Sequence, residues 1–263
     1  MDALLAQLAP QALVFLLVAA RLSAMMAVAP VFSSRSFPVR AKAGLVILLS
    51  YVALPVVGGS AHLPADAGVP ALALLVGKEV LIGLAFGLVA QMLFAAVQVA
   101  GGLVDLSAGF AIANVIDPSA NLNLTVLGRY YNLVATAAFL AVGGHQWLVA
   151  GIVQSFQLAP VTEMPRLDAI VAGVLARADD ILLVALMIGA PVLVALVVAD
   201  IALGILARAV PQMNVFIVGL PLKVVLALAG IAILLPTTLS FFGDLTGRML
   251  ADLSEMVTAA GGG

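Results

Sequence analysis

Asp200–Lys223, DIALGILARAVPQMNVFIVGLPLK, gathers in one stretch the residue types that are scarce elsewhere in the chain. Asp200, Arg208, Gln212, Asn214 and Lys223 stand among Pro211, Met213, Phe216, Gly219 and Pro221, between strongly apolar flanks. Such side chains can pair as ions or exchange hydrogen bonds in a medium of low dielectric. A charge at the centre of a membrane helix costs roughly 2.5–3.5 kcal/mol on insertion scales. Broken backbone at membrane depth is tolerated only under protein cover or along a water-filled cavity. Two readings stand. The stretch is a cytosolic loop between two spans, with Arg208 and Lys223 as positive-inside anchors, or it is a proline-broken hairpin sheltered by protein. In both it is a helix, a stop at Pro211, a short apolar rung and a restart at Gly219-x-Pro221.

Other polar groups are isolated within apolar sequence. Arg21 interrupts Ala12–Ala29. It either snorkels toward an interface or meets a buried carboxylate, of this chain or of another; the Met and Ala residues that follow favour the second. Lys78 and Glu79 are adjacent, and adjacent helical residues do not face each other, so each is expected to seek a different partner. Asp200 precedes Arg208 by about 12 Å along a helix axis, too far to pair, so it needs another partner or water. Arg21, Glu79, Arg129 and Asp200 are therefore the candidate buried polar groups.

Gly101–Asn123, GGLVDLSAGFAIANVIDPSANLN, is the second informative stretch. Gly101-Gly102 should weaken the helix. Asn114 and Asp117-Pro118 are turn formers, yet Leu106, Phe110, Ile112, Val115 and Ile116 lie among them. It reads either as an interhelical loop packed on its neighbours or as an apolar re-entrant segment that occludes a pore, since hydrophobic constrictions gate by dewetting.

Several functions find little support in the residues. The chain has no cysteine, and its two histidines, His62 and His145, make no metal signature. No Ser/His, paired-Asp or His-Glu-x-x-His arrangement occurs, so no catalytic residue, metal ligand or cofactor site is assigned. A net charge of −2 gives no reason to expect nucleic-acid binding. A small-solute transporter would need ionisable groups converging at mid-membrane, whereas these lie mostly near segment ends.

The elements that must position these residues are apolar helices. Apolar residues make up 64% of the chain and charged residues 9%, against about 25% charged in soluble domains. The chain reads as an all-α integral membrane protein, a single membrane domain over 1–263, built of uneven helical hairpins with broken helices. The first apolar run has no basic residue before Arg21 and is read as a retained segment. Gly44–Val57 would cover only about 21 Å and Val69–Ala100 about 48 Å. Gly83 and Gly87 allow close helix approach. Ser33–Lys42 is basic, hence cytoplasmic. Trp147–Leu158 and residues 237–258 have the spacing of amphipathic helices, and 101–123 is the candidate plug loop.

Ala207-Arg208, Pro211-Gln212-Met213-Asn214-Val215-Phe216 and Gly219-x-Pro221-x-Lys223 resemble the most characteristic motif of the FliR family of flagellar biosynthetic proteins, components of the type III export gate. The basic Pro loop, Gly109-Phe110 followed by Asp117-Pro118, Gly144-His145 and Ala199-Asp200-x-x-Leu203-Gly204 extend the resemblance along nearly the whole chain. It implies a structural and gating subunit in the bacterial inner membrane, at the flagellar basal body. It implies assembly with FliP and FliQ in a helical hetero-oligomer, FlhB wrapped around it, unfolded flagellar proteins as cargo, lipid contact, and a plug formed by Leu106, Phe110, Ile112, Asn114, Val115, Ile116, Asp117 and Pro118. The virulence injectisome counterpart is the close alternative, and a small-solute transporter the more remote one.

Overall fold

The computed structural model describes residues 2–34, 37–58, 68–110 and 125–261. Among them are seven helices: α1 (Asp2–Val28), α2 (Val39–Gly58), α3 (Val69–Ala108), α4 (Val126–Ala141), α5 (Gly144–Leu158), α6 (Leu167–Ala209) and α7 (Val215–Gly261). No strand occurs among the described residues. Five helices are long and apolar enough to cross a membrane, and six spans result if α4 and α5, bent by 64° at their junction, count as one.

The unevenness read from the sequence is real, but its form differs. α2 holds 20 residues, about 30 Å, because it starts right after Pro38 and takes in Arg40 and Lys42; it is long enough to span. α3, α6 and α7 hold 40, 43 and 47 residues. They run about 60–70 Å, twice the hydrocarbon thickness of about 30 Å. Gly101-Gly102 does not end α3, so the segment read as a loop from 101 is helical as far as Ala108. Pro221 and Pro236 do not interrupt α7, and residues 237–258 are the continuation of that helix rather than a separate one. Proline removes one backbone bond per site. In long apolar helices packing against neighbours compensates.

The chain divides into two compact units. One comprises Met1–Met92, Gly143–Ala178 and Thr246–Gly263; the other comprises Leu93–Val142 and Asp179–Leu245. In the first, α1 lies on α3 at Gly83 and Gly87. A Cβ on Gly83 would run into the Arg21 carbonyl, and one on Gly87 would sit 2.8 Å from Met25 O. These glycines therefore serve the close approach their spacing allows. α5 buries Leu148, Ile152 and Phe156 on one face, as its pattern requires, while Trp147 stays exposed.

In the second unit, Gly101 of α3 meets Gly128 of α4 so closely that a Cβ would fall 2.6 Å from the Gly128 Cα. That contact accounts for Gly101 inside α3, whereas a Cβ on Gly102 would make only ordinary contact with Thr125. Phe94 stands edge-on to Phe139 and Phe242, with ring centroids 5.5 and 5.7 Å away.

Gly83→Ala should destabilise the detergent-solubilised protein by about 1–3 kcal/mol, the usual cost of overpacking. Gly77→Ala, on the same helix with nothing within 4 Å, should be neutral or stabilise by up to about 1 kcal/mol. Equal thermal midpoints for the two variants would refute the close approach of α1 and α3.

Candidate functional site

Three polar constructions stand out in the apolar chain. The first, in the Met1–Met92 unit, is a buried ion cluster. Arg21 of α1 and Glu79 of α3 are both fully buried and pair through Nε and Oε2 at 2.5 Å. Arg21 Nη1 donates to Ser155 Oγ at 2.8 Å and Nη2 to Ala159 O at 2.9 Å. The guanidinium lies 3.9 Å from the Phe156 ring centroid, in cation–π range. Lys78 Nζ donates to the carbonyls of Pro160, Val161 and Glu163 at 3.1, 2.7 and 2.8 Å. An ammonium has three donors, so these bonds use all of them. Lys78 also stands 3.2 Å from Glu79 Oε1 as a charge, without hydrogen-bond alignment.

The sequence places this cluster by simple means. The small residues Gly83 and Ala24 bring α1 to α3. α5 ends at Leu158, so its orphan carbonyls and those just beyond it face two cations, which the helix dipole favours. The arrangement joins α1, α3 and α5 and leaves no free donor on Lys78. Its chemistry is that of a clamp.

The second construction is the α6–α7 turn. Asn214 Oδ1 accepts the Phe216 and Ile217 N–H groups at 3.1 and 3.4 Å, the pattern of a helix N-cap. Pro211 follows the last turn of α6, and Met213 N donates to Val210 O at 3.0 Å. Lys223 Nζ lies 2.8 Å from Asp200 Oδ1 and 3.0 Å from Oδ2, which ties the two helices together. Gly219 admits Leu203 between them, 3.0 Å from where a Cβ would be. The outer side is open: the Asp200 side chain is 53% exposed, and Ile201, Ile205, Phe216 and Ile217 are exposed around it. A cleft of about 270 Å³ runs beside this pair and is also lined by Ala108 and Gly109.

The third is the end of α3. Gly109, with φ 92°, closes it: the Gly109 N–H bonds Leu106 O and the Phe110 N–H bonds Asp105 O, at 3.3 and 3.2 Å. This is the paired bonding of a left-handed helix stop, where glycine avoids a Cβ penalty. The buried Asp105 carboxylate accepts the Leu127 N–H of α4 at 3.1 Å.

Of the candidate buried polar groups, Arg21 and Glu79 are buried and are each other's partner, within one chain. Arg129 and Asp200 are exposed. Lys78 and Glu79 do find different main partners, yet also approach each other. Lys223 is engaged by Asp200 within the chain. Arg208, Pro211, Gln212 and Pro221 are exposed, Met213 is half-buried and Gly219 is buried. In the candidate plug, Leu106 is exposed and Phe110 half-buried; Ile112, Asn114, Val115, Ile116, Asp117 and Pro118 lie outside the described residues. Sequence reasoning missed Asp105, Ser155 and the carbonyl-binding role of Lys78. For Asp105 a signal existed: an acid one helical turn after Gly101, on the face glycine opens to a neighbour. Among the described residues no group of His, Cys, Asp and Glu could hold a metal.

Comparison with known proteins agrees with the motif. The sequence profile of the bacterial export proteins, family 1, matches residues 12–249. The flagellar biosynthetic protein FliR of Bacillus subtilis (strain 168) is 38% identical over 213 residues, 80% of this chain and 81% of that one. FliR of Escherichia coli (strain K12) is 31% identical over 242 residues, 90% of each. The Yop proteins translocation protein T of Yersinia pestis is 29% identical over 218 residues, 82% of this chain and 83% of its own.

Removing one partner of a buried pair leaves an uncompensated charge and typically costs about 3–5 kcal/mol. Arg21→Leu and Glu79→Leu should each destabilise by this order, while the two combined should lose less than the sum of the single effects. A double-mutant cycle by denaturant titration in detergent checks this; additive losses would show that the pair does not interact.

Proposed function

The chain belongs to family 1 of the bacterial export proteins, and on that premise we propose that it is a structural and gating subunit of the flagellar type III export gate, with no enzymatic activity of its own. It acts in the bacterial inner membrane at the flagellar basal body. Its partners are FliP and FliQ in a helical hetero-oligomer, with FlhB around it, and its cargo is unfolded flagellar protein.

The observation that carries this reading is the α6–α7 hairpin. An ion pair that is half open, ringed by exposed Ile201, Ile205, Phe216 and Ile217, is expensive against lipid. The same groups are well served by a neighbouring subunit that offers apolar side chains and a polar contact. Type III flagellar export is favoured over the injectisome by the FliR relatives at 38% and 31% identity; the Yersinia translocation protein at 29% keeps the injectisome as the second reading. The segment 106–123 serves as the seal of the pore, its apolar residues giving a dewetted constriction.

Mass measurement of the detergent-extracted protein tests the assembly. It should elute as a stable hetero-oligomer, and Lys223→Ala should reduce the assembled fraction severalfold while the chain still inserts. A monodisperse monomer or homo-oligomer would end this reading, and full assembly of the Lys223→Ala protein would remove the hairpin as its basis.

Shortening the loop within 106–123 in the assembled complex should raise ion conductance across planar bilayers. Conductance equal to the parent complex would refute the seal.

A further inference from the structure

α2 and α5 lie in the same compact unit yet touch only sparsely, because α2 packs along α1. Between them runs a groove of about 740 Å³. Leu45, Leu49, Val52 and Val56 form its α2 wall, and Val149 and Val153 belong to its α5 wall. The stretch from Leu45 to Val56 covers about 17 Å of helix. That is close to the depth of one leaflet, half of a hydrocarbon core of about 30 Å. Beside the groove, Leu48 and Tyr51 are 59% and 70% exposed, so it opens outward from the unit.

One end of the groove is basic. Lys42 continues the α2 wall, since 42, 45, 49, 52 and 56 recur at spacings of three and four, and Arg40 is exposed two residues earlier. No acid occurs between Asp2 and Asp66. Neither cation forms an ion pair among the described residues. Phe32, just beyond α1, lines this end together with His145 and Gln146. α5 runs opposite to α1, with Ala159 at Arg21 and Gly151 at Phe86, next to the Gly87–Met25 contact. Its first residues therefore lie level with the end of α1. The positive-inside bias puts this basic turn at the cytoplasmic leaflet, which carries anionic lipids and supplies them to basic pockets between helices. Volume decides between a lipid and a helix of a neighbouring subunit. A helix about 10 Å across and about 17 Å long fills about 1,300 Å³, well over the room available, whereas an acyl chain is thin and follows the groove.

We propose that the α2–α5 groove binds one anionic phospholipid, its phosphate held by Arg40 and Lys42 and an acyl chain laid between Leu45 and Val56. The cations select the headgroup and the apolar walls hold the chain. The site requires only that the protein sits in a membrane, and it stands whether or not the protein serves export.

The test is native mass spectrometry of the detergent-extracted protein with its co-purifying subunits, titrated with dioleoyl phosphatidylglycerol or dioleoyl phosphatidylcholine. The parent should retain one more phosphatidylglycerol than phosphatidylcholine per copy of this chain. Arg40→Gln combined with Lys42→Gln should weaken retention at that site roughly thirtyfold, the scale of two cations at a membrane surface. Val52→Trp, made at a position 63% exposed, fills the groove and should lower retention while both cations remain. Soluble glycerol phosphate should not displace the lipid. Equal retention of the two lipids by the parent, undiminished retention in either variant, or displacement by glycerol phosphate overturns the proposal. If the parent retains no such lipid and Val52→Trp instead breaks the assembly, the groove receives a neighbouring subunit and the proposal fails.

Discussion

The Arg21–Glu79 pair is the interaction on which the Met1–Met92 unit depends. Two fully buried charges survive in apolar surroundings only when geometry and extra hydrogen bonds offset the loss of water. Here the fork of Arg21 is filled by a carboxylate, a hydroxyl and a carbonyl, with an aromatic face beneath. A lysine could not reproduce that planar set of contacts. Lys78 adds a second cation beside the same acid, and the carbonyls beyond α5 absorb the excess. Each group thereby fixes a different helix: Arg21 holds α1, Glu79 and Lys78 hold α3, and the acceptors hold the end of α5.

The same accounting governs the helix ends. A lipid environment supplies no donors or acceptors, so terminal N–H and carbonyl groups must be met by protein. α3 stops on Gly109, α4 begins under Asp105, α5 ends under Arg21 and Lys78, and α7 begins under Asn214. Three of these four solutions use side chains, and two reach across from another helix. The Asn in the Pro-Gln-Met-Asn motif thus has a local structural duty, whatever its neighbours do for assembly.

Residue type told more than residue order about where charge would be buried. Arg21 and Glu79 were legible because apolar sequence continues on both sides of each. Their mutual pairing was not, since it depends on α1 and α3 meeting at Gly83, and many chain pairings satisfy a lone charge equally well. Gly83 and Gly87 were legible as a pair by spacing. Gly101 misled, because the same residue that weakens an isolated helix also permits the closest packing, and here α4 supplies that packing. Pro221 and Pro236 misled for a related reason: a lost backbone bond is decisive in a short helix and minor in one of 47 residues. The family assignment came from a contiguous motif, which needs no tertiary knowledge.

The uneven lengths and stray charges suggested that the whole chain needs shelter from other subunits. The structure narrows that need. In the Met1–Met92 unit Arg21, Lys78 and Glu79 answer one another, so that cluster needs no partner. At the α6–α7 hairpin an ion pair opens outward between exposed apolar side chains. Such a surface is poor against water, because of Phe216 and Ile217, and poor against lipid, because of Asp200. A protein neighbour avoids both penalties. That open ion pair sits within the chain's most distinctive motif, which is where the proposed subunit contact would need it.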